Sequence, residues 1–187
     1  MALARFLAVL FSLLSAVGLS GCGGDQSQPP PLQATTSSSV GCKTGQSYQH
    51  TTLGYDLCFP GGWTTRDYTA EPGSGGAVSV VAFGPSAAVP AHVPSSGSFI
   101  PPIEVRVIGG TKDQAEASLT QGNPVTQTSI AGIPADRIVV AESGPASGTV
   151  IVVFEHQGNT YEIEEAPSGT YDSAFAQVLA SFSFPAS

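Results

Sequence analysis

Three glutamates form the densest group of residues in this sequence that could do chemistry. Glu155, Glu162 and Glu164 flank a Gln-Gly-Asn turn between two segments rich in β-branched and aromatic residues. Side chains alternate across a strand, so a hairpin here places the three carboxylates on one face. This holds whether the turn is Gln157-Gly158 or Gly158-Asn159. Grouped carboxylate oxygens could bind Ca²⁺, which makes this face a candidate ligand or cation surface.

A solvated acidic surface is the interpretation that we favour for these carboxylates. Ile151 and Val153 share the predicted face, and the sequence has no Asp-rich calcium loop. Charged side chains on one face of a strand usually point into water. We therefore expect no metal ion at this face.

Trp63 is the second candidate for ligand contact. It is the only tryptophan of the chain and follows a Pro-Gly-Gly turn, where it could form an exposed platform for a ligand. A large aromatic residue at such a position more often closes the end of a small core. We favour the core position.

No catalytic constellation is present in the sequence. His50, His92 and His156 are far apart, and there is no Cys-x-x-Cys, Gly-x-Ser-x-Gly or His-Glu-x-x-His motif. The glycine-rich segment 73–76 leads into a predicted strand and not into a helix, so it does not fit a phosphate-binding loop. We therefore predict no cofactor and no enzymatic activity.

The amino terminus has the organisation of an export signal. Arg5 precedes an apolar run over residues 6–20, which is short for a membrane-spanning helix. The run ends in Leu19-Ser20-Gly21-Cys22, which resembles the lipobox of bacterial lipoproteins. The resemblance implies that residues 1–21 are removed and that the Cys22 sulfur carries a diacylglyceryl group. The alternative is an ordinary cleaved signal with an incidental cysteine.

Two further cysteines, Cys42 and Cys58, remain after Cys22 is assigned to lipidation. Export places them in an oxidising compartment, where two free thiols tend to form a disulfide. Closure of a loop of about 15 residues stabilises the fold by about 3 kcal/mol in the chain-entropy model. We predict this disulfide at the start of the folded domain.

A tether separates the amino terminus from that domain. Residues 22–46 are rich in Gly, Ser, Thr, Gln and Pro and show no apolar periodicity. Such a segment buries too little surface to offset its ordering entropy, and its three consecutive prolines favour an extended spacer. We place the globular domain at residues 47–187.

The overall composition limits the functions that this domain can have. The chain has 187 residues and a formal charge of −8, with 41% hydrophobic and 11% charged residues. A folded core follows from the apolar content. We expect no nucleic-acid binding, because the chain has only 6 Lys and Arg residues to contact a phosphate backbone.

Alternation and turn residues predict mostly strands. Capping residues predict one helix, and an apolar stripe with a 3.6-residue period predicts a second. The first helix has Thr111 as its N-cap, and the second carries an apolar stripe that must lie against the sheet. A long proline-containing loop joins the second and third predicted strands. The predicted strands cover 54–59, 77–83, 103–108, 125–130, 134–141, 149–156 and 160–164, and the predicted helices cover 111–119 and 171–182.

Several short motifs resemble the PsbP-like proteins over residues 47–185. They are Gly54-Tyr55 with Phe59-Pro60-Gly61-Gly62-Trp63, the turn Gly132-Ile133-Pro134-Ala135, the hairpin Gly158-Asn159-Thr160-Tyr161 and the closing Phe-containing helix. The resemblance implies the α/β/α sandwich of that family and carries over no binding site. Element order alone predicts the α+β class, with an antiparallel sheet flanked by helices.

These observations predict a lipid-anchored protein at the cell membrane that faces the extracytoplasmic side. Its domain would be a non-catalytic binding or accessory module that presents a sheet or the proline-rich loop to a cell-envelope protein. The alternative is a metal-dependent protein or enzyme that uses an acidic pocket around the three glutamates. A third possibility is a purely architectural domain of the cell surface.

Overall fold

The computed structural model describes residues 42–95, 99–141, 145–167 and 169–185. Contacts divide the chain into Met1–Gln33 and Ala34–Ser187, and every described residue belongs to the second unit. The predicted signal segment, Cys22 and the tether up to residue 41 lie outside the described residues. No helix in the described part of the chain is long and apolar enough to span a bilayer.

A seven-stranded antiparallel sheet forms the centre of the domain, in the order β3-β4-β5-β9-β8-β7-β6. A separate two-stranded sheet pairs β1 with β2. Together with two helices this architecture is α+β, as predicted. The strands are β1 Gln46–His50, β2 Tyr55–Phe59, β3 Thr64–Asp67, β4 Ser79–Gly84, β5 Ile103–Gly109, β6 Val125–Ile130, β7 Ile133–Val139, β8 Val150–His156 and β9 Asn159–Glu165; the helices are α1 Lys112–Leu119 and α2 Asp172–Ser181.

Two tight turns set the register of the β6-β7 and β8-β9 hairpins. Ala131 and Gly132 have φ values of 52° and 79°, and Gln157 and Gly158 have φ values of 50° and 76°. Two consecutive positive φ angles define the type I′ turn, whose twist matches that of the flanking strands. Of the two turns that the sequence allowed for β8-β9, the structure uses Gln157-Gly158.

The main core lies between one face of the large sheet, here called face A, and a layer formed by β2 and α2. The helix buries the predicted stripe, with Phe175, Val178 and Phe182 all 5% exposed or less. Strand β2 buries alternate residues against the same core. The helix therefore depends on the sheet for its stability, as expected for a helix of 10 residues.

Helix α1 lies on the opposite side of the sheet, here called face B. Thr111 is its N-cap, as predicted. Leu119 packs against a small cluster of Ile138, Ile151 and Val153. The two helices therefore flank the sheet on opposite faces.

The sequence patterns did not predict two of the described strands, β1 and β3. Strand β1 reads Gln-Ser-Tyr-Gln-His and β3 reads Thr-Thr-Arg-Asp, and neither shows a clear apolar alternation. Both exist because a neighbouring strand supplies their hydrogen bonds, β2 for β1 and β4 for β3. Strand β1 begins at Gln46, the last residue of the predicted tether.

Candidate functional site

The central strands of face B carry a charged cluster of four side chains. The β5-β9 register pairs Glu104 with Glu164 and Arg106 with Glu162. Paired residues of adjacent strands project from the same face, so three carboxylates surround one guanidinium. The sequence predicted the β9 members but not the β5 members, because strand pairing joins residues about 60 positions apart.

Arg106 binds one of the three carboxylates directly. Its Nε and one terminal nitrogen each lie 3.0 Å from Oε1 of Glu104. Its other terminal nitrogen donates to the backbone oxygen of Ser74 at 2.9 Å. The guanidinium thus links the sheet to the loop that precedes β4, and two of its five N–H groups remain for other acceptors.

Burial disfavours the ionised forms of the three carboxyls. Desolvation raises the pKa of Glu164 to about 7, with a further increase from the charge of Glu104 and a decrease from Arg106. Desolvation is also the largest cause of the raised pKa values of Glu104 and Glu162, and Arg106 opposes both shifts. One guanidinium does not offset the burial of three carboxyls.

Glu155 lies on the same face but does not join the cluster. Its Oε2 accepts a hydrogen bond from the backbone N–H of Lys112 at 3.2 Å. That amide belongs to the first turn of α1, where a negative charge is favourable. The Lys112 ammonium binds Asp136 and lies 3.7 Å from Oε1 of Glu116. Glu155 therefore stabilises a helix end, which the predicted cation surface did not anticipate.

The described residues contain no group of three or more His, Cys, Asp or Glu side chains arranged to hold a metal ion. The carboxylates of Glu104, Glu162 and Glu164 do not form such a group, and the Arg106 guanidinium already binds Glu104. The cation interpretation of the acidic strand has no geometric support in this part of the chain.

A small pocket adjoins the charged cluster. It has a volume of about 150 Å³ and lies over β4 and β5, beneath the turn at residues 72–74. Apolar side chains form its walls, and the Glu104–Arg106 pair forms its polar end. The wall residues are Tyr68, Val80, Val93 and Phe99.

Val93 and Phe99, from the proline-rich segment between β4 and β5, form one side of this pocket. Tyr68 donates its hydroxyl proton to the backbone oxygen of Pro90 at 2.5 Å, and its ring meets Phe99 edge-to-face at 5.8 Å. Gly84 permits the close approach of this segment. A Cβ at that position would lie 2.7 Å from Cγ of Pro102 and 2.8 Å from Cγ2 of Val89.

Trp63 lies away from this pocket. It is half-buried against the core on face A, and its ring meets Tyr171 edge-to-face at 5.7 Å. Its backbone oxygen accepts a hydrogen bond from the side chain of Gln46 at 3.1 Å. The structure therefore does not bring Trp63 together with the glutamates.

A serine and a histidine that the sequence analysis did not connect lie in contact. Nε2 of His50 is 3.0 Å from Oγ of Ser79. Nδ1 of His50 accepts the backbone N–H of Leu53 at 3.2 Å, so the proton of the neutral ring is on Nε2 and is donated to Ser79. A ring in that state cannot take the serine proton, and Ser79 is only 2% exposed. This pair is structural.

The disulfide between Cys42 and Cys58 is present, as predicted, with Cα atoms 5.7 Å apart. It joins Cys42, four residues before the start of β1, to the fourth residue of β2. The backbone N–H of Cys58 also donates to Oγ of Ser181 in α2 at 2.8 Å. The bridge thus fixes the first described residue to the layer that covers face A.

The fold and the site together define an α+β domain with one central antiparallel sheet and a small pocket on one face. Solved structures similar to this chain include the solution structure of cyanobacterial PsbP (CyanoP) from Synechocystis, with 17% identity and a TM-score of 0.40. That comparison covers 89% of this chain and 99% of that one.

A crystal structure from Bacteroides thetaiotaomicron is also similar, with 9% identity and a TM-score of 0.39. It covers 76% of this chain and 49% of that one, so this chain spans about half of its length. No family model and no curated protein matches the chain.

Proposed function

We propose that this protein is a lipid-anchored, extracytoplasmic accessory module that binds another protein through the pocket on face B. Cys22 carries the lipid in this proposal, and the tether holds the domain away from the membrane. The domain does no chemistry of its own. Its partner is a protein of the cell envelope.

The size of the pocket is the observation that carries this proposal. At about 150 Å³ it is smaller than the roughly 300–1,000 Å³ typical of sites that enclose a whole small molecule. A single apolar side chain with a polar end fits this space. Anchor residues of this kind carry most of the energy in protein interfaces, where they fill a desolvated pocket.

The disulfide supports the proposed location. Structural disulfides persist in oxidising compartments and are rare in the cytoplasm. With Cys42 and Cys58 joined, Cys22 is the only cysteine left for lipidation. Two acyl chains hold a protein stably at a bilayer, whereas one chain does so only marginally.

A photo-crosslinking side chain at Pro72, on the exposed rim of the pocket, tests the binding site in intact cells. We expect a specific adduct with an envelope protein, and we expect Val93→Trp to abolish it because the larger side chain fills the pocket. A crosslinking side chain at Gln121, an exposed residue just after the end of α1, is the control. Adducts that persist with Val93→Trp, or that form equally from Gln121, contradict the proposal.

Intact-mass measurement of the full chain expressed in bacteria tests the anchor separately. We expect a mature protein that begins at Cys22 with added acyl mass, found in the membrane fraction. Cys22→Ser removes both properties, while Ser20→Ala keeps a small residue in the lipobox and retains them. An unmodified polypeptide in the membrane fraction would refute the anchor and leave the pocket proposal standing.

A further inference from the structure

The seven-stranded sheet ends on one side in β6, an edge strand whose outer hydrogen-bonding groups are open. Residues 125–129 are all exposed. The two-residue turn makes Ile130 and Ile133 a hydrogen-bonded pair. Hydrogen-bonded residues alternate along an antiparallel strand, so the backbone N–H and C=O groups of Thr126 and Thr128 also point toward β7. The backbone N–H of Val139 in β7 donates to the backbone oxygen of Pro124 at 3.2 Å, which continues the same alternation of hydrogen-bonded residues.

It follows that the N–H and C=O groups of Val125, Gln127 and Ser129 point away from the sheet. Among the residues that the structure describes, no hydrogen bond reaches these outward groups. Proteins usually protect such an edge with a charge, a proline or a bulge. Strand β6 has none of these within residues 125–130.

The opposite edge of the sheet gives a direct contrast within the same molecule. Strand β3 has only four residues and carries the charged side chains of Arg66 and Asp67. A short, charged edge strand resists pairing with another chain. The two edges of this sheet are therefore built differently, and only β6 is left uncharged.

We propose that β6 is a self-association edge, where a second copy of this chain pairs its own β6 antiparallel about a two-fold axis at Gln127. This register pairs Gln127 with Gln127 and Val125 with Ser129, so all three outward residues on each strand find partners. Thr126 meets Thr128 on the other face, a pair that is favourable across strands. The two seven-stranded sheets become one continuous sheet.

Charge is the reason for choosing a second copy as the occupant. The chain is acidic overall, at −8, yet the two-fold pairing brings no charged side chains into direct contact. The nearest acidic residue is Asp136, which pairs with Gln127 from β7 and is already bound to Lys112. Its symmetry copy is three strand spacings away, about 14 Å, which exceeds the Debye length in physiological salt.

Cysteine crosslinking in membranes that contain the full chain tests this proposal. In Gln127→Cys the two cysteines face each other with Cα atoms about 5.5 Å apart, within disulfide range. In the control Thr128→Cys the cysteine faces Thr126 of the other copy, and the two cysteines lie two residues out of register. We expect mild oxidation to give at least about fivefold more disulfide-linked dimer from Gln127→Cys.

A charge variant provides an independent measurement in detergent solution. Gln127→Lys places two ammonium groups opposite each other, so we expect sedimentation to show a monomer. The control Thr128→Lys meets Thr126 and leaves the dimer intact. Equal crosslinking from the two cysteine variants, a monomeric unmodified chain, or Gln127→Cys adducts only with other proteins would overturn the proposal. None of these results bears on the pocket.

Discussion

At the scale of single residues, the central strands of face B place three carboxyls where only one cation is available. Glu164 shows the consequence most clearly, because burial raises its pKa to about 7. Its neighbour Glu104 is only 8% exposed and already uses Oε1 to bind Arg106. A cluster of this kind costs stability at neutral pH, and it borders the pocket that we assign to a partner.

Replacing Glu164 with Gln should stabilise the protein at high pH. A carboxyl whose pKa is higher in the folded state opposes folding as pH rises from its unfolded value toward its folded value. We expect Glu164→Gln to raise the free energy of unfolding at pH 8 by about 1–3 kcal/mol and to change it little at pH 4. Urea denaturation of the two proteins at both pH values measures this difference.

Glu155→Gln is the matched control on the same face. Glu155 accepts the Lys112 amide at the start of α1, so loss of its charge should cost about 0.5 kcal/mol at neutral pH. The two substitutions should therefore act in opposite directions. Stabilisation of both variants at pH 8 would indicate a general effect of net charge and would contradict the role given to Glu164.

At the scale of elements, the hairpin turns hold non-glycine residues in the left-handed region. Ala131, with φ at 52°, occupies the first central position of its type I′ turn. Asparagine adopts this conformation more readily than alanine and is favoured there before glycine. The β6-β7 hairpin therefore stores a small strain at a solvent-exposed position.

Ala131→Asn should relieve that strain. We expect a gain of about 0.5–1 kcal/mol in the free energy of unfolding, measured by urea denaturation. Ala131→Val should have the opposite effect, because a β-branched side chain is disfavoured at positive φ. If valine were tolerated as well as asparagine, the assigned turn geometry would be wrong.

The disulfide also acts at the scale of elements, because it ties the segment that precedes β1 to β2. Replacing Cys42 and Cys58 together with serine should lower the free energy of unfolding by about 3 kcal/mol, since the closed loop spans 16 residues in sequence separation. Urea denaturation of the oxidised protein and the double variant measures the loss. A reducing agent should lower the stability of the unmodified protein and leave the variant unchanged.

At the scale of the whole molecule, buried carboxyls dominate the pH dependence of stability. The pKa values of Glu104, Glu116, Glu162, Glu164 and Glu165 are all raised, and desolvation is the largest cause in each case. Between about pH 4.5 and 7 the folded state therefore binds more protons than the unfolded state. His50 acts in the other direction, because burial lowers its pKa and its proton uptake on acidification favours unfolding.

Stability should consequently fall as pH rises from 5 to 8, since five carboxyls outweigh one histidine. The urea midpoint at pH 8 should be lower than at pH 5, with an unchanged dependence on denaturant concentration. A urea midpoint that rises over this interval would show that ionisation of these carboxyls in the folded state costs no stability. The same series with Glu164→Gln should give a shallower decline.

The sequence by itself determined those features of the fold that depend only on residues close together along the chain. Alternation and turn residues identified seven of the nine described strands. The N-cap and closing glycine identified α1, and a 3.6-residue apolar period identified α2, because these signals are local. The two missed strands, β1 and β3, carry no such pattern. They exist because a partner strand completes their hydrogen bonds.

Only the tertiary structure decided which residues share a site. Glu162 and Glu164 were visible as a pair, but their contact with Glu104 and Arg106 depends on a strand register that no local pattern encodes. The contact between His50 and Ser79 joins two different sheets, and Glu155 reaches the first turn of α1. Both contacts depend on the packing of elements that are distant along the chain. Pairing between distant strands is set by the packing of the whole core, so it emerges only when the chain has folded.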